Sequence, residues 1–167
     1  MEPLITKPFN WIGLGGTFDH LHQGHKRLLR MAYALSKNLA IGLTTENLLK
    51  HKQYSDKIQT YQERKRNLEK YLEEIHAFSE ECIKILPLKD FSGPAIEQNT
   101  IEALICSQET YQNAERINKI RSKKGISPLV IIVVPLIRNS KGEKVSSTNI
   151  RKNLNYSGGN FDKDQKN

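Results

Sequence analysis

The residues best suited to chemistry in this chain are His22 and His25, which follow Gly15-Gly16-Thr17-Phe18-Asp19 at the end of an apolar run. Glycine lets a backbone approach a ligand closely, and the first amides of a helix point outward without partners. A strand, a glycine turn and a helix beginning at Gly24-His25 therefore form an arrangement that can hold a phosphate. Two imidazoles beside such a nest add donors, which suits handling a nucleotide's phosphates rather than merely gripping them. A second stretch is Lys144-Val-Ser-Ser-Thr-Asn-Ile-Arg151. Ser146, Ser147 and Thr148 at a helix start either cap its amides or present hydroxyls to an anion, and Arg151 adds a planar cation about one turn later. Taken alone, an isolated histidine pair reads as a helix cap and a surface side chain, and the serine stretch as an ordinary cap. Lys144 and Lys152 read as solvated helix-end charges.

These groups need a scaffold that brings two distant segments together. Phe9 to Leu14 reads as a first strand, apolar on both faces like a buried parallel strand. From His25, apolar residues at Leu28, Leu29, Ala32 and Leu35 keep a helical period, with Asn38 as the stop. Leu39 to Thr44 is a second buried strand. A helix follows over about Tyr61 to His76, then a strand over Cys82 to Leu88, a Gly/Pro loop at Asp90 to Ala95 and a strand over Ile101 to Cys106. Ser107 to Lys124 reads as a long helix, Leu129 to Val134 as the most β-branched strand, and a last helix runs from after Ser147 to Leu154. Strands alternating with helices predict a doubly wound α/β fold with a Rossmann-like parallel sheet. One domain is expected over residues 1–155, with Tyr156 to Asn167 a polar, disordered tail.

Bulk properties agree with such a domain. The chain has 167 residues, 37% hydrophobic and 26% charged. No segment approaches the ~18 apolar residues that cross a bilayer, and no secretion signal is expected at the N-terminus. Cys82 and Cys106 lie in apolar runs without metal-type spacing, so buried reduced thiols and a cytoplasmic location are expected. The net charge of +8 is spread over clusters interleaved with acids. Aromatics are 7% and do not alternate with the basic residues as a stacking platform requires, so small polyanionic substrates account for the charge and nucleic acid is not called for.

Gly15-Gly-Thr-Phe-Asp-His-Leu-His-Gln-Gly-His-Lys26 is similar to the signature of the HxGH nucleotidylyltransferases, which join a nucleoside monophosphate from ATP or CTP to a phosphate-bearing acceptor and release pyrophosphate. Val145-Ser-Ser-Thr-Asn-Ile-Arg151 resembles that superfamily's second motif, ISSTxxR, with valine for isoleucine. Between them, Lys52 to Arg64, Asn67 to Leu72, Asp90 to Ala95 and Ile101 to Thr110 resemble the phosphopantetheine adenylyltransferases of archaeal and eukaryotic type. The resemblance covers about Phe9 to Leu154. Gln108, where an acid or proline is usual, and Asn113, where glycine is usual, depart from the pattern.

The resemblance implies an enzyme that transfers the adenylyl group of ATP to 4′-phosphopantetheine, giving dephospho-coenzyme A and pyrophosphate. It implies that Gly16, Thr17, Phe18, His22, Gly24, His25, Ser146, Ser147, Thr148 and Arg151 bind ATP, with His25, His22, Lys52 and Arg151 catalytic. Thr17, Lys52 and Arg64 would hold the acceptor phosphate, and a magnesium ion would accompany ATP without a protein metal cage. By residue type alone the choice among Lys50, Lys52 and Lys57 stays open. Thr17 could be a turn hydroxyl, Arg64 a solvated helix face, and Glu109 and Thr110 either helix caps or pocket residues. Asp19 reads as a brace for its turn. The nearest alternatives are the same chemistry on glycerol-3-phosphate with CTP or on FMN with ATP, and a non-catalytic nucleotide- or nucleic-acid-binding module. The pattern sets no oligomeric state.

Overall fold

β1 (Phe9–Gly16) sits at the centre of the molecule, and its side chains divide the protein into two halves. Ile12 and Leu14 are buried on one face, while on the other face, beyond Trp11, Gly13 and Gly15 contribute no side chains. The computed structural model describes residues 6–75, 77, 79 and 81–157. Five parallel strands take the order β3-β2-β1-β4-β5, with β2 at Ser36–Thr44, β3 at Ile83–Leu88, β4 at Ala103–Ser107 and β5 at Val130–Val134. In register, Ile12 pairs with Leu39 and Ala103, and Leu14 with Ile41.

Helices α1 (Gln23–Leu35) and α2 (Tyr61–Glu74) cover the Ile12 face. Leu29 of α1 and Leu68 and Leu72 of α2 are fully buried there, each contributing about 1.5–3 kcal/mol by leaving water. The opposite face carries a short 3-10 turn (Gly93–Ile96) and α3 (Tyr111–Lys123), through Ala95, Ala114 and Ile117. α4 (Ser147–Ser157) closes the described chain. The predicted doubly wound parallel sheet is present. Among the described residues, no helix is long and apolar enough to cross a membrane.

Several boundaries differ from expectation for physical reasons. Asn38 does not stop α1. The helix ends at Leu35, β2 begins at Ser36, and Asn38 sits inside that strand, its side-chain amide donating to the Asn10 carbonyl at 2.9 Å. Ser107 belongs to β4, and α3 starts four residues later, at Tyr111. The Asp90 loop contains the 3-10 turn, nucleated by the Asp90 carboxylate accepting from the Ser92 and Gly93 amides. Cys82 precedes β3 and is only half-buried, whereas Cys106 is buried. β5 is an edge strand, with Val130 53% exposed. α4 runs through Ser157, and the remainder of the tail expected to be disordered lies outside the described residues.

Candidate active site

The sheet order reverses direction between β1 and β4, and in open α/β sheets ligands bind outside the carboxyl ends of strands at such a switch point. Both motifs converge there. In the turn after β1 the left-handed residues are Phe18 (φ 49°) and His20 (φ 44°), not the glycines. The glycines are needed for space. A Cβ on Gly16 would stand 3.1 Å from the Phe18 ring, and one on Gly24 would stand 2.9 Å from the His22 ring.

His22 is the N-cap of α1. Its Nδ1 accepts from the Gly24 amide at 3.1 Å, while the Nδ1 of His25 faces the His22 amide at 3.4 Å, a capping box built from two imidazoles. The rings stack, with centroids 3.8 Å apart. Because both Nδ1 atoms accept, the network assigns the proton of each neutral ring to Nε2. Burial, then the Lys144 charge, lowers the His22 pKa to about 4. Burial, then His22 and Lys52, lowers that of His25 to about 3. At neutral pH both rings are therefore uncharged hydrogen-bond donors.

The second motif reaches the first through Asp19, which is fully buried. The Ser147 hydroxyl donates to the Asp19 carbonyl at 2.6 Å, and Arg151 Nη1 donates to the Asp19 carboxylate at 2.5 Å. Arg151, 3% exposed, also donates to the Gln53 carbonyl and to Thr148 Oγ1. Asp19 thus braces more than its own turn. It also accepts from the Gln59 amide at 2.9 Å, which pins the segment carrying Lys52.

Lys52 Nζ donates to Thr17 Oγ1 at 2.7 Å, and burial together with Arg151 holds its pKa below the ordinary lysine value. Lys50 and Lys57 line neither of the two cavities at this end of the sheet. Arg64, expected on the acceptor phosphate, stands elsewhere. It is fully buried, and its guanidinium donates to the carbonyls of Gln59, Thr17 and Thr44 at 3.0, 2.9 and 2.9 Å. It lines neither cavity and instead anchors the backbone beneath Thr17.

One cavity, about 290 Å³, brings together every other predicted site residue: Gly16, Thr17, Phe18, His22, Gly24, His25, Lys52, Ser146, Ser147, Thr148 and Arg151. The second, about 340 Å³, lies between the sheet and the α3 side and shares Gly15, Gly16, Thr17, Lys52 and Thr110 with the first. Its floor is Gly13, Gly15, Ala40 and Gly42, and Leu88, Phe91 and Ile117 make much of its wall apolar. The cation of Arg116 lies 3.9 Å over the Phe91 ring.

Sequence reasoning passed over three participants, Lys144, Gly13 and Gly42, and left two, Glu109 and Thr110, open. Lys144 lines the histidine cleft and pairs with Glu109 from the loop after β4, so it is not merely a solvated helix-end charge. Glu109 lines that cleft and Thr110 lines both cavities, which decides their open role, and Thr110 makes no side-chain cap to α3. Gly13 and Gly42 shape the second cavity by lacking side chains. Their signal was present in the alternation Ile12-Gly13-Leu14-Gly15, which puts both β1 glycines on one face.

A cytidylyltransferase-like family model matches residues 14–153. The chain is 39% identical over 150 residues to a phosphopantetheine adenylyltransferase of Pyrococcus furiosus, covering 90% of this chain and 92% of that one. It is 38% identical over 160 residues to a phosphopantetheine adenylyltransferase of Saccharomyces cerevisiae, covering 93% of this chain and 52% of the yeast protein. Among solved structures it resembles a protein of unknown function from Archaeoglobus fulgidus, with TM-score 0.66 and 27% identity over 75% of this chain and 98% of that one. Both motifs fall within the matched span and meet in one cleft, and the chain belongs to the phosphopantetheine adenylyltransferases of the cytidylyltransferase-like family.

Proposed function

We propose that the protein transfers the adenylyl group of ATP to 4′-phosphopantetheine, forming dephospho-coenzyme A and pyrophosphate. The observation that carries this reading is the pair of cavities meeting at Thr17 and Lys52. A cleft lined by imidazoles, hydroxyls and ammonium groups suits a triphosphate. A largely apolar slot beside it suits a long, thin arm whose phosphate ends at the shared lysine.

The acceptor phosphate already carries an anionic oxygen, so no covalent enzyme nucleophile is required. That oxygen attacks the α-phosphorus of ATP, the new P–O bond forms, and the bond to the bridging oxygen of the β-phosphate breaks to release pyrophosphate. The barrier lies in bringing two polyanions together, since unit charges at ~4 Å repel by about 4 kcal/mol at an effective dielectric near 20. Positioned donors counter this. His25 and His22 donate Nε2–H to the ATP phosphates, Thr17 and Lys52 hold the acceptor phosphate, and Ser146, Ser147, Thr148 and Arg151 meet the β and γ phosphates. Arg64 acts beneath them by holding the Thr17 carbonyl. Magnesium fits as the companion of ATP, lowering the charge of the triphosphate. Among the described residues no cluster of three metal-ligating side chains forms, and Glu109 is the one carboxylate lining the cleft. Two unpaired cysteines accord with work in the reducing cytoplasm.

The test is pyrophosphate release from ATP or CTP with a panel of phosphorylated acceptors. Turnover confined to ATP with 4′-phosphopantetheine is expected. Turnover only with glycerol-3-phosphate or FMN overturns the acceptor, and salt-sensitive oligonucleotide binding without pyrophosphate overturns the enzyme.

A further inference from the structure

The cations near the histidine cleft are not equally free to meet a ligand. Arg151 is matched by the buried Asp19 carboxylate, and Arg64 is turned onto backbone carbonyls. Lys52 stands at the junction of the two cavities, bonded to Thr17. Lys144 differs from all three. It leads into the serine motif and lines the cleft, and its charge depresses the proton affinity of His22. Its partner Glu109 comes from the loop after β4 and lines the same cleft. The two side chains are 31% and 54% exposed. An ion pair open to water contributes little, because solvent and salt screen it. A triphosphate offers several anionic oxygens and stronger charge-assisted hydrogen bonds, so it outcompetes a single screened carboxylate.

We propose that Lys144 is a ligand of the nucleotide's polyphosphate, and that Glu109 is its exchangeable counter-ion, holding the lysine at the cleft until the polyphosphate displaces it. This rests on the reading of the cleft as the ATP site and adds a residue and a competition to it. The consequence is a difference of sign. Removing Glu109 frees the lysine and tightens nucleotide binding, whereas removing Lys144 weakens it. A pair that merely ties two loops together gives the same sign for both.

Equilibrium binding of magnesium-ATP to the intact protein, measured by calorimetry, tests this on Lys144→Gln, Glu109→Gln and the double variant, with Lys144→Arg as a charge-preserving control. Loss of the lysine should weaken binding roughly tenfold, the scale of one charge-assisted hydrogen bond. Glu109→Gln should tighten it about two- to fivefold. The double variant should match Lys144→Gln, and Lys144→Arg should stay within a few-fold of the parent. Both single variants weakening ATP alike, or neither changing it, overturns the proposal, with circular dichroism confirming that each is folded. Pyrophosphate release from the parent is read separately. A parent that binds ATP without turnover costs the adenylyl-transfer reading alone, whereas an active parent with same-sign variants costs Lys144 alone.

Discussion

The histidine cleft and the glycine-floored slot lie side by side over the same strands and are made in opposite ways. The cleft exists because of side chains that are present: stacked imidazoles, hydroxyls, and a buried Asp19–Arg151 pair that joins segments 132 residues apart. The slot exists because of side chains that are missing, at Gly13, Gly15 and Gly42. A site built from polar contacts fails when a partner is removed, since a buried charge left unpaired is costly. A site built from space fails when something is added.

The largest expected effect is in the cleft's tether. Asp19→Ala leaves the Arg151 guanidinium buried without its carboxylate and should cost about 3–5 kcal/mol of stability, read as a lowered urea midpoint. A loss under about 1 kcal/mol would show that the pair is not what holds the two motifs together.

Next is His25→Ala, which should lower kcat by about 10² or more, the scale of losing one preorganised donor, in a protein that stays folded. Near-normal turnover would remove His25 from the mechanism.

The slot should respond to addition instead. A Cβ on Gly15 would meet Leu88 at 3.4 Å, an ordinary contact, so Gly15→Ala should fold. Although Gly15 borders both cavities, its added methyl group points at Leu88, which lines the slot alone, and should raise the KM for the acceptor about tenfold, the scale of a crowded methyl, with a smaller loss for ATP. Equal losses for both substrates would mean that the two cavities are not separate subsites.

A last effect is in pH dependence. His22 and His25 are held at about 4 and about 3 in the folded protein, below the ordinary value of 6.5. As pH falls through 6.5 the unfolded chain takes up protons that the folded chain refuses, so stability drops, and this loss continues until the folded rings themselves protonate near pH 4 to 3. Urea midpoints between pH 7 and 5 should decline, and the decline should shrink in a His22→Gln, His25→Gln variant. An unchanged slope in that variant would show that the imidazoles are not the groups kept neutral.

The difference between the regions also explains how legible each was. Strand and helix identities are written in local periodicity, and they were readable to within a few residues. Errors came where tertiary contacts overrode a local cue. Asn38 looks like a helix stop, yet it finds the Asn10 carbonyl across the sheet and continues a strand. The cleft's residues could be named because both motifs are contiguous in sequence. The slot was harder to read: the alternation in β1 puts Gly13 and Gly15 on one face, but only the sheet register sets Ala40 and Gly42 beside them and turns two missing side chains into a cavity floor.

The order of residues along the chain was enough to determine a doubly wound sheet, the two motifs that meet in the cleft and the family that carries them. Tertiary structure alone decided what each charged side chain faces. Arg64 turns onto three carbonyls, Arg151 onto Asp19, and Lys144 onto Glu109 across the cleft. The reason is that periodicity depends on near neighbours, whereas the partner of a long charged side chain depends on which groups distant segments bring within 3 Å of it once water is excluded.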